Sequence, residues 1–124
     1  MCIRDRFGIT HTLPRLVGAQ NAHRLLLTGS RISGPAALEL GLIDKLVSPE
    51  NVRKEAASLA FEIAQNAPLA ISSVRATMQV DMERQVREIT KHELSEQQRL
   101  RGTQDAYEGI RAVAERRPGN FSGN

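Results

Sequence analysis

Aromatic side chains are scarce in this sequence. Its 124 residues include no tryptophan, one tyrosine and three phenylalanines. Because aromatic residues supply much of the apolar area in a compact core, leucine, isoleucine, valine and alanine must supply it here. The length suits one small domain. We therefore expect a single domain with a thin core, which suggests support from a partner chain or from further residues.

Cysteine and long hydrophobic runs are also lacking. A single cysteine, Cys2, excludes an internal disulfide framework. No apolar run approaches the roughly 20 residues that a membrane-spanning helix requires. The charged opening at residues 1–6 is not followed by the apolar stretch of a secretory signal. The expectation is a protein of the reducing cytoplasm with no membrane partner.

No charge of one sign dominates any part of the chain. Lysine and arginine number 17 against 14 aspartates and glutamates, which gives a net charge of +3. Basic and acidic residues are interspersed, with Arg116-Arg117 as the exception. Since aromatic residues for base stacking are also few, nucleic acid is not an expected partner. The arginine pair has two interpretations, favourable charge at a helix end or a site for an anion.

Glycine, proline and capping residues divide the chain into predicted helices. Most of them begin at a serine, threonine or proline, and most end at a glycine or before a proline. The segment 42–47 reads instead as a short extended piece, an edge strand. The polar helix Met82–Arg101 is expected to be exposed or to face a partner. The other predicted helices are 12–18, Ala19–Thr28, Pro35–Leu40 after Ser33, 49–66, Pro68–Thr77 with a break near Gln79–Asp81, and Gln104–Glu115 after Thr103.

The residues themselves present no complete active site. The histidines at 11, 23 and 92 have no second ligand at metal spacing, so no metal site is predicted. Nucleophile-elbow and phosphate-loop motifs are absent. His92 and His23 read as surface residues. His11, in the opening segment, has the further possibility of lining a pocket.

Several segments, in order, are similar to those of a known family. These segments are TLPRLVG at 12–18, LLLTG at 25–29, AALELGLIDKLV at 36–47, APLA at 67–70, EGIRA at 108–112 and RRPGNF at 116–121. With them the sequence resembles the crotonase family of enoyl-CoA hydratases and isomerases, and the likeness covers residues 7 to 123.

The resemblance implies a fold class and a division of the chain. The fold is expected to be mainly α: the C-terminal helical part of a crotonase-like α/β spiral fold, with at most one or two short strands. Residues 1–6 would then be a non-native head and 7–66 the end of the crotonase-like core. Residues 67–124 would be a C-terminal helical region that forms a homo-oligomer, a trimer or a dimer of trimers.

The same resemblance implies an activity. Family members act on acyl-CoA thioesters through an enolate stabilised in an oxyanion hole, with coenzyme A as part of the substrate and no separate cofactor. Their catalytic carboxylates would lie upstream of Phe7, so this chain is expected to be inactive alone. Arg6 stands where relatives often have an acid, and Asp5 is given no role. The alternative is a stand-alone helical oligomerisation module without catalysis.

Two groups of site residues follow from the resemblance. Val113 and Arg116 match positions that present an aromatic and a basic side chain to the nucleotide of coenzyme A. Arginine suits phosphate, whereas valine cannot stack on adenine. Gly8, Ile9 and Thr10 match a segment of the acyl-pocket wall in which relatives often have Gly-Gly-Thr. No catalytic residue and no metal ligand is predicted within the chain.

Overall fold

The structure is a computed structural model that describes residues 7–124. The predicted non-native head at 1–6 lies outside the described residues. Over the described range the chain forms α-helices and one 3-10 turn, with no strand. The elements are α1 (Ile9–Thr28), α2 (Gly34–Glu39), the 3-10 turn (Pro49–Asn51), α3 (Val52–Ala64), α4 (Pro68–Met78), α5 (Met82–Arg101) and α6 (Gln104–Ala114). The predicted, mainly α class is confirmed.

The opening helix differs from its prediction. The helix α1 begins at Ile9, not at Thr12, and Gly8 occupies the N-cap position. The Thr12 hydroxyl donates instead to the Gly8 carbonyl oxygen at 3.0 Å. The break at Gly18 is confirmed, because its φ of 77° and ψ of 158° interrupt helical geometry inside α1. Gly29 ends the helix in the left-handed conformation, as glycine commonly does.

The edge strand predicted at 42–47 does not form, and this segment is irregular. A strand needs a neighbouring strand to accept its backbone hydrogen bonds, and the described residues supply none. The chain instead turns at Gly41, whose φ is 71°. The N–H of Leu42 donates to the carbonyl oxygen of Ala37 at 2.9 Å and so completes the end of α2.

Other local predictions are confirmed. The Ser33 hydroxyl caps α2 by accepting from the N–H of Ala36 at 3.3 Å. The Thr103 hydroxyl caps α6 through the N–H of Ala106 at 3.2 Å. The break between α4 and α5 falls where it was predicted, with Asp81 at a φ of 64°.

The chain divides into two compact units. The first combines the segment up to Arg31 with Gln85–Asn124. In it, α1 and α5 run in opposite directions, since Thr10 contacts Glu93 and Arg15 contacts Gln85. Its buried residues are Gly8, Leu13, Val17 and Ala22 before Arg31, and Glu93, Gln97, Ala106, Gly109 and Ala112 in the later helices.

The second unit, Ile32–Arg84, has even less interior. Ala37 is its buried apolar residue, and α3 and α4 bury no residue. The side chain of Leu46 lies so close to Gly34 that a Cβ there would be 2.7 Å from Leu46 Cδ1. The core predicted to be thin is confirmed over the described range, since alanine predominates among its buried apolar residues.

The predicted boundary between residues 66 and 67 is not the boundary between these two units. The predicted boundary separates an enzyme core from an oligomerisation region, whereas the units reflect packing within one chain. The boundary at 66 and 67 therefore stays a prediction. None of the helices described here is long and apolar enough to cross a membrane.

Candidate functional site

The end of α6 carries the two residues predicted to meet a nucleotide. The helix closes in a double hydrogen bond in which the N–H of Arg117 donates to Ala112 O at 3.0 Å and the N–H of Arg116 to Val113 O at 3.3 Å. This is the Schellman pattern, whose reversing position is usually glycine. Arg116 takes that position with a φ of 54°. An arginine there is strained, because a Cβ crowds the backbone in the left-handed region.

Arg117 is held by carboxylates. Its Nη1 and Nη2 donate to the two oxygens of Glu108 at 2.5 and 3.1 Å, and its Nε donates to Glu115 at 2.6 Å. Arg111 donates to Glu108 as well, at 2.7 Å. These bonds are charge-assisted, and the forked guanidinium suits the two oxygens of a carboxylate. Arg117 is therefore fixed within the protein.

The charges around Glu108 shift the titration of this group. Hydrogen bonds from Arg117, from the N–H of Asn120 and from Arg111 hold the pKa of the Glu108 carboxyl well below its usual range. The bonds to Glu108 and Glu115 in turn raise the pKa of Arg117. Both groups stay charged at neutral pH, and their charges are balanced against each other.

Arg116 has the opposite surroundings. Its side chain is exposed, and no hydrogen bond or ion pair to it occurs among residues 7–124. Val113, one turn earlier, is 69% exposed. The structure therefore brings the two predicted nucleotide residues to one exposed helix end and leaves the guanidinium free for an anion. Their role toward coenzyme A stays a prediction.

A polar cavity of 540 Å³ lies between α6 and the chain that follows it, and its lining includes Asp105, Glu108 and Arg117. Asp105 closes one side by accepting the N–H groups of Ser122 and Gly123 at 2.8 and 2.9 Å. Glu108 accepts the N–H of Asn120 at 3.0 Å. Both carboxylates of this cavity are thus engaged by backbone N–H groups, and Glu108 also by arginines. Neither is placed to exchange protons with a substrate.

The predicted acyl-pocket segment has a different neighbour, Glu93 of α5. Glu93 is only 3% exposed. One carboxylate oxygen accepts the N–H of Gly8 at 2.7 Å, and the other accepts the N–H and the hydroxyl of Thr10 at 3.3 and 2.5 Å. Ile9 lies between the two anchored residues and is half-buried. The assignment of these three residues to an acyl pocket stays a prediction.

Sequence reasoning missed Glu93. On a helix as polar as α5, a glutamate reads as part of a solvated surface. One signal was available: Val86, Thr90, Glu93 and Gln97 recur at spacings of three and four and therefore share one face of the helix.

The Nε2 atom of His11 is also buried, and it has no hydrogen-bond partner within the described chain.

Metal ligation finds no support within residues 7–124. In that range, no three histidine, cysteine, aspartate or glutamate side chains lie close enough together to hold an ion.

Comparisons with known proteins agree with one another. A sequence model of the family described as enoyl-CoA hydratase/isomerase matches residues 2–124. The chain is 34% identical over 119 residues to a crotonyl-CoA hydratase from Syntrophomonas wolfei, covering 96% of this chain and 46% of that protein. It is 31% identical to a carnitinyl-CoA dehydratase from Salmonella typhi, over 93% of this chain and 45% of that protein.

A solved structure is similar as well. The crystal structure of a probable enoyl-CoA hydratase/isomerase from Mycobacterium abscessus matches with a TM-score of 0.57 and 26% identity. The match covers 94% of this chain and 46% of that one. The chain thus spans a little under half the length of the relatives that it matches.

Proposed function

Because this chain belongs to the enoyl-CoA hydratase/isomerase family, we propose that it forms the C-terminal portion of an enzyme that acts on acyl-CoA thioesters. The relatives' names, crotonyl-CoA hydratase and carnitinyl-CoA dehydratase, favour the addition or removal of water at an acyl chain bound to coenzyme A. Isomerisation of a double bond would use the same enolate intermediate as hydration. Coenzyme A enters as part of the substrate.

The free guanidinium of Arg116 is the observation that carries this proposal. A phosphate of coenzyme A carries negative charge and oxygen acceptors, which suit an exposed arginine that has no internal partner. Arg117 does not compete for the phosphate, because Glu108 and Glu115 already hold it. Val113 offers an apolar contact without aromatic stacking. In this proposal, α6 binds the nucleotide end of the substrate.

The reaction itself would proceed through an enolate. Two backbone N–H groups would polarise the thioester carbonyl, and the negative charge that develops on its oxygen would be stabilised there. Carboxylates would then move protons or activate water. Asp105 and Glu108 are engaged as described, so we assign neither of them this role. We propose that the catalytic carboxylates lie upstream of Phe7 and that residues 1–124 alone do not turn over substrate.

Assembly and location complete the proposal. The exposed apolar side chains of α3 and α4 favour burial against further protein. The family resemblance implies that this includes further copies of the chain, in a homotrimer or a dimer of trimers. A single cysteine supports a reducing cytoplasm.

The test replaces Arg116 by glutamine in the complete enzyme and measures hydration of crotonyl-CoA. Loss of a charge-assisted bond to phosphate should raise KM about tenfold and leave kcat nearly unchanged, because the contact is made equally in the ground state and the transition state. Arg53→Gln is the matched control, since it removes one exposed arginine from α3. Equal KM values for the two variants would remove Arg116 from the site.

Failure of the complete enzyme to hydrate or isomerise any enoyl-CoA would refute the proposed activity. Turnover of crotonyl-CoA by residues 1–124 alone would refute the narrower statement that the catalytic carboxylates lie elsewhere.

A further inference from the structure

The first turn of α1 lacks a cap of its own. Gly8, at the N-cap position, has no side chain to accept a hydrogen bond, and no acidic residue occurs in the first turn. The first N–H groups of a helix have no partner within it, and they carry partial positive charge. The N-terminus of α1 therefore depends on an acceptor from elsewhere in the fold.

Glu93 supplies that acceptor from 85 residues away in sequence. Its two oxygens accept from Gly8 N, Thr10 N and Thr10 Oγ1, so both ends of the three-residue turn are bound to one carboxylate. A buried carboxylate needs such partners, because desolvation of an unpaired charge is costly. The negative charge also lies where the helix dipole favours it.

The same face of α5 packs against the turn. A Cβ at Gly8 would be in ordinary van der Waals contact with Val86 Cγ1 at 3.4 Å and with Thr90 Cγ2 at 3.6 Å, two helical turns and one helical turn from Glu93, respectively. Gly8 also has a φ of 83°, which a larger residue adopts only with strain. Hydrogen bonds and packing therefore fix the backbone of this turn from one side.

We propose that Glu93 is a positioning residue that fixes the Gly8–Thr10 turn and, through this turn, the wall of the acyl pocket. The inference rests on the proposed function and on the family resemblance, which implies that Gly8, Ile9 and Thr10 belong to that wall. Ile9 lies between the two anchored residues, so the position of its side chain depends on both anchors. Glu93 itself does not touch substrate in this scheme.

A carboxylate is required at this position rather than an amide. At least three donors, all from residues 8 and 10, converge on the two oxygens. Glutamine would replace one oxygen by an NH₂ group that faces a backbone N–H or the Thr10 hydroxyl. Glu93→Gln is close to glutamate in size, so it removes the acceptor while it preserves the packing. Glu93→Asp keeps the charge but is shorter by one methylene, which prevents both anchors from forming at full strength.

The experiment measures kcat and KM of the complete enzyme for crotonyl-CoA and for a ten-carbon 2-enoyl-CoA, together with the Kd for free coenzyme A. For Glu93→Gln we expect kcat/KM for crotonyl-CoA to fall about tenfold, since a small displacement at the reacting end is costly. The ratio of kcat/KM for the two substrates should also change, whereas the Kd for coenzyme A stays the same. Glu62→Gln, which makes the same change at an exposed glutamate of α3, should change none of these.

A role in stability alone would leave the ratio between the two substrates unchanged, and that result would overturn the inference. Unchanged kinetics in Glu93→Gln would overturn it too. If Glu93→Gln does not fold, Thr10→Val decides, because it removes only the hydroxyl bond and should shift the ratio in the same direction. Failure of the unaltered enzyme to turn over either substrate would instead refute the proposed function, and this inference with it.

Discussion

Adjacent arginines at the end of α6 have different surroundings. Arg117 is bonded to Glu108 and Glu115, whereas Arg116 is exposed at the position where the chain reverses. A residue other than glycine in the left-handed region costs about 1 kcal/mol or more. Strain of this kind persists where the side chain is useful, which is consistent with anion binding by Arg116.

We predict that Arg116→Gly stabilises the protein while it weakens binding of coenzyme A. Glycine removes the left-handed strain, so the free energy of unfolding should rise by about 1 kcal/mol in urea denaturation. Arg116→Ala is the control, because it removes the guanidinium but retains the Cβ and hence the strain. Both variants should lose coenzyme A affinity equally. A glycine variant no more stable than the alanine variant would contradict the strain argument.

A second prediction concerns Glu108 and pH. Arg117, the N–H of Asn120 and Arg111 lower the pKa of the Glu108 carboxyl below its ordinary value of 4.5. The folded state therefore favours the ionised form, so the resulting stability is present above pH 4.5 and is lost as the pH falls further. The free energy of unfolding should exceed that of Glu108→Gln most at pH 7, and the difference should shrink at pH 3.

Glu62→Gln provides the comparison for this pH series. Glu62 lies on the exposed surface of α3, where charges contribute little to stability. Its effect should be small at both pH values. A Glu108→Gln difference that stayed constant from pH 7 to pH 3 would show that the carboxylate is not preferentially ionised in the folded protein.

At the scale of elements, α6 and the C-terminal segment act as one unit. Asp105 accepts the N–H groups of Ser122 and Gly123, and its own N–H donates to the Asn124 carbonyl oxygen at 3.1 Å. The ring of Phe121 packs so closely on Gly119 that a Cβ there would overlap it. The Asp105 side chain, in the first turn of α6, thus helps to hold the end of the chain against the helix.

Replacing Asp105 by alanine should release this segment. Bonds from backbone N–H groups to a charged acceptor each contribute about 1.5 kcal/mol or more, so the amides of Ser122 and Gly123 should exchange with solvent about tenfold faster. Hydrogen exchange followed by NMR measures both amides directly. Asp44→Ala, which removes an exposed carboxylate from the irregular segment after α2, should leave them unchanged. Equal exchange in the two variants would contradict the prediction.

Features that depend on residues close together in sequence were predicted correctly, whereas features that depend on contacts between distant residues were not. Ser33, Thr103 and Gly18 were interpreted correctly, because a cap or a break depends on residues within one turn. The predicted start of α1 at Thr12 was wrong, because the acceptor for the first turn of this helix is Glu93, which lies in another helix. The strand at 42–47 was wrong because strands depend on partners that local pattern does not reveal.

The candidate site shows the same limit. The resemblance identified Val113 and Arg116, and the structure places both at the end of α6. It also shows that Glu108 binds Arg117, nine residues later, and not Arg116. Such a pairing depends on the Schellman turn and on the path of the last residues. Neither follows from spacing alone. The surroundings of Gly8 and Thr10 likewise required knowledge of which helix packs against them.

At the scale of the whole molecule, apolar surface is poorly covered. In α4, Leu69 is 85% exposed and Met78 is 78% exposed, while Phe61 of α3 is 69% exposed. The buried residues of the described chain include no large side chain that is completely enclosed. Exposed apolar surface on this scale favours association, since monomers rarely leave large apolar patches in water.

We predict that purified residues 1–124 self-associate rather than remain monomers of 13.7 kDa, as measured by sedimentation equilibrium. Phe61→Glu combined with Leu69→Glu should weaken this association, because burial of two carboxylates without partners is costly. Arg53→Glu with Lys54→Glu, on exposed polar positions of α3, controls for added negative charge. Equal association in both double variants would remove this apolar surface from the contact.

The thermal melt of the same sample separates the two functional readings. A stand-alone oligomerisation module should unfold in one cooperative transition at the temperature where its association is lost, since folding and assembly would be coupled. A portion of a larger enzyme should instead unfold over a broad range, because α3 and α4 contain no buried residue in the described chain and have little cooperative packing to lose. A sharp, concentration-dependent transition would therefore favour the module, and a broad one together with absent crotonyl-CoA turnover would favour the enzyme portion.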